Sequence, residues 1–237
     1  MQNHFRAPTT YFLAEGKENL AECLAVAFDA AREHNIGKII IFTAEGEGIR
    51  LAIENFRSQP QFQGIKLVGV TFPKGKRFTD ATGRPRRVEI PPDLESQFQS
   101  QGVPIIRAHL PFDPILPPFG DRGVLAQDLS LVGDALNMFC GSMSLCVQAV
   151  VLACDAGAVG IGEHVIALTS DTAILARASC TRRMLSSLVI REILCKPAIL
   201  TIGRKEVAEK LIDATAETQP KAIGAGKPRK GTSGTQP

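Results

Sequence analysis

Residues 38–72 restrict the fold class of this chain more than any other stretch. A short run rich in β-branched residues at 38–43 precedes a glycine-containing turn at 44–48, a helical pattern at 49–56 and a second apolar run at 65–72. Apolar runs of this length that alternate with helices are typical of buried parallel strands joined by helical crossovers. The stretch therefore predicts an α/β fold.

The rest of the chain extends this pattern. Helices are predicted at 19–35, 93–101, 125–155 (broken near Gly141), 171–178 and 204–214, and further strands at 103–108, 165–169 and, as an edge strand, 192–195. Residues 73–92 and 110–123 are predicted to be irregular because prolines interrupt them. We therefore predict three layers: a mainly parallel sheet of about five strands with helices on both faces.

Composition separates a body from a tail. Of the 237 residues, 44% are hydrophobic and 22% are charged, which fits one globular α/β domain over residues 1–214. Residues 215–237 carry four basic residues against one acidic residue and are rich in Gly and Pro, which predicts a disordered basic tail. Without the tail the body is nearly neutral, which argues against nucleic-acid binding as its main task.

The cysteines and the N-terminal residues bear on location. Six cysteines without a C-x-x-C pair predict reduced core thiols, hence a cytoplasmic protein, and the first ten residues contain no apolar signal region. Residues 135–154 lack a formal charge, but polar residues dilute them, so they are interpreted as a buried helix and not as a membrane span. A subunit contact is another way to cover this helix, so a homo-oligomer is an open alternative.

Several common catalytic motifs are absent from the sequence. It contains neither G-x-x-x-x-G-K-[ST] nor G-x-S-x-G, and Leu51 occupies the third glycine position of a dinucleotide fingerprint. No metal-ligand set and no nucleophile–base pair can be assembled. The sequence therefore leaves open whether the protein is an enzyme.

The turn at residues 43–48 is the best candidate for a ligand site. It places free backbone N–H groups and the positive end of a helix dipole at the carboxyl edge of the sheet, which suits a phosphate. Glu45 and Glu47 oppose this interpretation unless they point away or bind a cation or sugar hydroxyls. The alternative is a plain strand–helix turn in which glycine serves the backbone conformation.

Polar residues follow the other predicted strands at the same edge. His109 is either a ligand contact or a surface histidine, and Asp171 is predicted to cap a following helix, which is compatible with ligand contact. The loop at 73–92 holds six basic residues, of which Lys74 is predicted to reach an anion at this edge while the distal arginines face solvent.

The order of these segments resembles the C-terminal domain of pyruvate kinase, and more narrowly the stand-alone pyruvate kinase α/β-domain proteins. The resemblance rests on KIIIFTAEGEGI with IKLVGVT, on the Cys-Val-Gln at 146–148, and on Asp-Thr-Ala at 171–173 with EILCKP at 192–197. It implies a pyruvate kinase C-terminal-domain-like fold, an effector-phosphate loop and flavin mononucleotide as a candidate ligand. Departures are Glu45 and Gly48 in place of hydroxyls, Gln148 in place of a carboxylate, and a short loop before Asp171.

These arguments define a functional hypothesis. We predict a small-molecule binding domain that holds a phosphate-bearing ligand, with flavin mononucleotide or another nucleotide as candidates. The alternative is a regulatory or protein-interaction domain without a working pocket, and a third hypothesis is binding of RNA or another anionic partner by the basic loop and tail. The predicted ligand-binding residues are Thr43, Glu45, Gly46, Glu47, Gly48, Thr71, Lys74, His109, Gln148, Thr169, Ser170, Asp171 and Thr172.

Overall fold

A computed structural model describes residues 6–79, 83–113 and 124–198, with only the backbone for 124–128. The predicted helix at 204–214 and the predicted tail at 215–237 lie outside the described residues, as does most of the irregular segment at 110–123. The predictions for those segments therefore stay predictions.

The described residues form nine strands and six α-helices. The strands are β1 (Thr10–Phe12), β2 (Lys38–Phe42), β3 (Lys66–Thr71), β4 (Arg77–Thr79), β5 (Pro85–Arg87), β6 (Ile105–Arg107), β7 (His164–Leu168), β8 (Ala173–Arg177) and β9 (Val189–Pro197). The helices are α1 (Leu20–Glu33), α2 (Glu47–Ala52), α3 (Pro92–Ser100), α4 (Val124–Asn137), α5 (Met143–Asp155) and α6 (Met184–Ser187). A 3-10 turn at Lys17–Asn19 leads into α1, and a π-helical turn at Ile53–Arg57 continues α2.

Seven of the strands form one mixed sheet in the order β1-β9-β8-β7-β2-β3-β6. Four neighbouring pairs are parallel (β1 with β9, β2 with β3, β2 with β7, β3 with β6), while β7–β8 and β8–β9 are antiparallel. The α/β class and the mainly parallel sheet are confirmed. The predicted strand number was too small by two.

Both faces of the sheet are covered. Alternate residues of β2 face opposite sides, so that Ile39 and Ile41 pack with α1 and α2, and Ile40 and Phe42 pack with α5. The predicted arrangement of helices on both faces is therefore confirmed.

The helix predicted at 171–178 is wrong. Those residues contain strand β8, which pairs antiparallel with β7 after a tight turn closed by the Thr169 N–H donating to the Thr172 carbonyl at 2.9 Å. Residues 173–176 are all buried, because β8 lies inside the sheet between β7 and β9. A short, uniformly apolar run has no periodicity that separates a strand from a buried helix.

Two further sequence predictions need correction. The segment at 192–195 belongs to β9, which is not an edge strand: it pairs with β8 and with β1, and the three-residue β1 forms the edge. The loop at 73–92 is not wholly irregular, because β4 and β5 pair there as a small antiparallel hairpin.

The uncharged segment at 135–154 is interrupted. Helix α4 ends at Asn137 and α5 begins at Met143, and almost the whole of α5 is buried against the sheet. Within the described residues, no helix has the length and apolarity needed to cross a membrane.

All six cysteines lie in described segments and are free thiols, and only Cys180 is not fully buried. Burial raises the pKa of the Cys146 thiol well above its ordinary value. A hydrogen bond to Cys195, together with burial, raises the pKa of Cys23 in the same way. Such thiols stay protonated and behave as small core residues.

Candidate functional site

A cleft of about 190 Å³ opens at the carboxyl edge of the sheet, where β2, β3 and β7 end. Its lining residues come from the segment before and at the start of α1, the β2–α2 turn, the residue after β3, the start of α5 and the β7–β8 turn. They are Lys17, Leu20, Phe42, Thr43, Ala44, Glu45, Glu47, Gly48, Phe72, Ser142, Leu145, Thr169 and Ser170. The walls therefore combine hydroxyl groups and backbone with apolar side chains.

Six of the predicted ligand-binding residues line this cleft, namely Thr43, Glu45, Glu47, Gly48, Thr169 and Ser170. Sequence reasoning missed Lys17 and Ser142. Lys17 precedes the first helix, and Ser142 follows the break at Gly141, a break that the sequence did indicate. Neither residue follows a strand, so the expectation that ligands bind beyond the carboxyl ends of the strands did not point to them.

The β2–α2 turn is organised by Thr43 and Gly46. The Thr43 hydroxyl accepts a hydrogen bond from the Gly46 N–H at 3.0 Å, and the Gly46 carbonyl accepts one from the Arg50 N–H at 3.0 Å. Gly46 has a φ of 92°, in the left-handed region. A Cβ at this position would lie 3.0 Å from side-chain atoms of both Leu94 and Phe98 in α3. Gly46 therefore faces the core, which explains why it does not line the cleft.

Gly48 has a different role. It lies in the first turn of α2, and a Cβ there would lie 2.9 Å from the Ile41 side chain on β2. Its φ is not positive, so the glycine is not needed for a left-handed backbone. It is needed because helix α2 approaches strand β2 closely at this position.

The first turns of three helices meet at the cleft. Leu20 is the first residue of α1, Glu47 and Gly48 begin α2, and Ser142 immediately precedes α5. None of the three helices has a side-chain hydrogen bond capping its N-terminus. The Leu20 and Met143 N–H groups already donate to the Lys17 and Cys140 carbonyls, so it is the positive ends of the helix dipoles that make this place favourable for an anion.

Charged side chains balance each other around the cleft. Lys17 brings a positive charge, and Glu45 and Glu47 bring negative charges. The Glu45 carboxylate forms an ion pair with the Arg86 guanidinium of β5. The sequence-based objection from the two glutamates is thus reduced to Glu47 alone.

Asp171 does not line the cleft but holds together two segments that do. Its buried carboxylate accepts hydrogen bonds from the Gly16 N–H at 3.1 Å and from the Thr172 hydroxyl at 3.1 Å, with the Thr169 hydroxyl at 3.4 Å. It therefore fastens the segment that carries Lys17 to the β7–β8 turn. The predicted helix cap at Asp171 is wrong because no helix follows it.

The remaining predicted residues do not line the cleft. Gln148 is buried in α5, where its side-chain oxygen accepts a hydrogen bond from the Phe112 N–H at 2.9 Å, so it anchors the segment after β6. Lys74 and His109 are exposed at the same edge of the sheet. Thr71 is fully buried, and its hydroxyl has no hydrogen-bond partner among the described residues.

An ion pair beside Thr71 was not anticipated. Arg107 on β6 lies opposite Thr71 in the parallel register and donates to Glu95 of α3 at 2.6 and 3.3 Å. The Arg107 hydrogen bond holds the pKa of Glu95 below its ordinary value of 4.5, although burial opposes the shift. This pair fixes α3 to the end of β6.

The depressed pKa of Glu95 predicts a stability loss in acid. A carboxylate whose pKa is lowered by folding adds stability above its unfolded pKa, here 4.5, and loses it as the pH falls through the lower folded pKa. We expect Glu95→Gln to flatten part of the decline in unfolding free energy between about pH 6 and about pH 3 in urea titrations. Glu54→Gln, which removes an exposed i,i+4 helix pair with Arg50, is the control. Equal pH profiles for wild type and Glu95→Gln would contradict the assignment.

Comparison with known proteins gives limited information. No protein-family model matches the chain. A crystal structure of pyruvate kinase from Cryptosporidium parvum matches at 12% identity and a TM-score of 0.34, over 70% of this chain and 23% of that chain. A second structure of pyruvate kinase from this organism matches at 12% identity and a TM-score of 0.32, over 63% and 20% of the two chains. The ADP complex of the same organism's pyruvate kinase matches at 11% and 0.28, over 64% and 20%.

The chain therefore spans less than a quarter of the length of these pyruvate kinases. At such identities and TM-scores, these matches carry no argument about this chain. The roles of individual residues rest on the geometry of the cleft.

Proposed function

We propose that the protein binds a phosphate-bearing small molecule in the cleft at the carboxyl edge of its sheet. The observation that carries this proposal is the meeting of three helix N-termini without side-chain caps around one cleft. The positive ends of their dipoles favour the negative charge of a phosphate. The hydroxyls of Thr43, Ser142 and Thr169 add polar groups, and Lys17 adds a positive charge.

The size of the cleft restricts the ligand. Its volume of about 190 Å³ is below the roughly 300–1,000 Å³ of most drug-sized ligand pockets. A phosphate with an attached sugar suits such a volume, whereas flavin mononucleotide is larger and would extend beyond the open cleft. We therefore favour a small sugar phosphate over the flavin.

Calorimetric titration tests the proposal. Ribose 5-phosphate, flavin mononucleotide and inorganic phosphate are titrated into the protein, with ribose as the unphosphorylated control. We expect ribose 5-phosphate to bind and ribose not to bind. If none of the phosphate compounds produces binding heat or a shift in melting temperature, the proposal is wrong.

A lysine substitution tests where along the carboxyl edge of the sheet the anion binds. We expect Lys17→Ala to weaken ribose 5-phosphate binding by about three- to tenfold, because an exposed cation adds a modest, salt-screened attraction. Lys74→Ala is the matched control, since Lys74 is exposed at the same edge but does not line the cleft. Equal effects of the two substitutions in the same titration would show that the anion does not lie beside Lys17.

One observation favours the alternative of a protein-interaction domain. Tyr11, Leu13, Met138 and Phe139 are exposed apolar residues. Lys196 joins two of them, since its ammonium donates to the Phe139 carbonyl at 2.8 Å and lies 5.4 Å from the Tyr11 ring centroid. Under this alternative no phosphate compound binds. Light scattering then detects a protein–protein complex, and Phe139→Ser weakens that complex.

A further inference from the structure

One pair of opposite residues in the described part of the β4–β5 hairpin contacts the lining of the cleft. Phe78 on β4 lies directly across from Arg86 on β5 in the antiparallel register. The Phe78 ring lies 5.0 Å from the Phe72 ring, and Arg86 forms an ion pair with Glu45. Both Phe72 and Glu45 line the cleft. The hairpin is thus joined to two walls of the cleft by one apolar and one ionic contact.

The ionic contact matters because of where Glu45 lies. A free carboxylate in the wall of the cleft would repel a phosphate, since like charges at short range oppose each other. Arg86 is the ion-pair partner of Glu45 among the described residues. With Arg86 in place, Glu45 belongs to a neutral pair, and Lys17 and Glu47 are the other charged residues of the described lining.

Fold stability does not account for this pair. The side chains of Arg86 and Glu45 keep 57% and 33% of their accessible surface, and ion pairs this exposed contribute little to folding. The hairpin also places Arg77 directly opposite Arg87, an unfavourable arrangement of like charges. The main consequence of the Arg86–Glu45 contact is therefore electrostatic and local to the cleft.

We infer that Arg86 is a positioning residue that neutralises Glu45 and thereby makes the cleft able to accept a phosphate. The inference rests on the proposed function and adds to it a named determinant of anion binding. Arg86 acts through Glu45, so the effect of losing Arg86 depends on whether the carboxylate is present. That dependence separates this role from direct contact with the ligand.

A double-mutant cycle tests the inference with ribose 5-phosphate as the probe. We expect Arg86→Gln to weaken binding by about tenfold, since it exposes the carboxylate. Glu45→Gln is expected to bind more tightly than wild type, because Arg86 then keeps an uncompensated positive charge, and Glu45→Gln combined with Arg86→Gln is expected to bind more tightly than Arg86→Gln alone. Arg77→Gln, which removes an equal charge from the same hairpin, is the control and is expected to change affinity by less than about twofold.

The possible outcomes separate the role of Arg86 from the proposed binding of a phosphate compound. If wild type binds ribose 5-phosphate but the double variant stays as weak as Arg86→Gln, then Arg86 does not act through Glu45 and the inference is wrong. It is also wrong if Arg77→Gln weakens binding as much as Arg86→Gln. If wild type binds none of the phosphate compounds, the proposed function fails and this inference fails with it. Thermal melts of all variants verify that each is folded.

Discussion

Replacing Gly46 with alanine is expected to lower the free energy of unfolding by about 2–5 kcal/mol. An L-residue held in the left-handed region costs roughly 1–2 kcal/mol, and Gly46 has a φ of 92°. The added Cβ would also lie 3.0 Å from side-chain atoms of Leu94 and Phe98, and overpacking of this kind typically costs about 1–3 kcal/mol. The measurement is urea-induced unfolding of wild type and variant.

The matched control for this substitution is Gly37→Ala. Gly37 precedes β2, has no positive φ, and a Cβ there would meet nothing within 4 Å. Its replacement is expected to be neutral or slightly stabilising, because alanine restricts the unfolded chain. We further expect Gly46→Ala to weaken ribose 5-phosphate binding, because the Thr43–Gly46 hydrogen bond shapes the β2–α2 turn. Equal stabilities for the two variants would contradict the backbone argument.

The second large effect is expected at Asp171. Asp171→Ala removes the acceptor for the Gly16 N–H and for the Thr172 hydroxyl, and leaves the hydroxyl with the Cys140 thiol at 3.3 Å as its remaining partner. Unsatisfied buried donors cost about 1–3 kcal/mol each, so we expect a loss of about 2–4 kcal/mol in unfolding free energy. Ligand affinity is expected to fall as well, since Lys17 and Thr169 lose their common anchor.

Two comparison variants sharpen the test at Asp171. Asp171→Asn keeps the shape and one acceptor oxygen, so it is expected to fall between wild type and alanine. Asp29→Ala removes an exposed carboxylate that pairs with Arg32 and is expected to change stability by less than about 0.5 kcal/mol. Should Asp171→Ala unfold at the same urea concentration as Asp29→Ala, the anchoring role is wrong.

The parallel half of the sheet was predictable from sequence because its signals are local. Strands β2 and β3 are continuous apolar runs, and the turn between β2 and α2 is marked by Gly46 and Gly48. The antiparallel half was not predictable in the same way. Residues 173–176 are buried on both faces of the sheet, so their hydrophobicity does not alternate along the strand. Strand β1 has three residues, and its pairing depends on β9 far along the chain.

The same distinction applies to the candidate site. Thr43 and Thr169 follow strands whose direction the sequence indicated, so their place at the cleft could be anticipated. Lys17 reaches the cleft through the Gly16–Asp171 hydrogen bond, which joins residues 155 positions apart and has no local signature. The Arg86–Glu45 pair joins a hairpin to a turn 41 positions away, and its sequence neighbourhood shows only a group of basic residues.

The pairing of β1 with β9 has a consequence for the order in which the molecule assembles. Thr10 lies opposite Cys195, so β1, the first of the described strands along the chain, finds its partner only after β9, the last of them, has been synthesised. Strands β2, β3 and β6 pair with near neighbours along the chain, apart from β2 with β7, and are able to associate during synthesis. Insertion of β9 between β8 and β1 therefore requires that residues 189–197 have been synthesised, and until then residues 10–12 lack their partner strand.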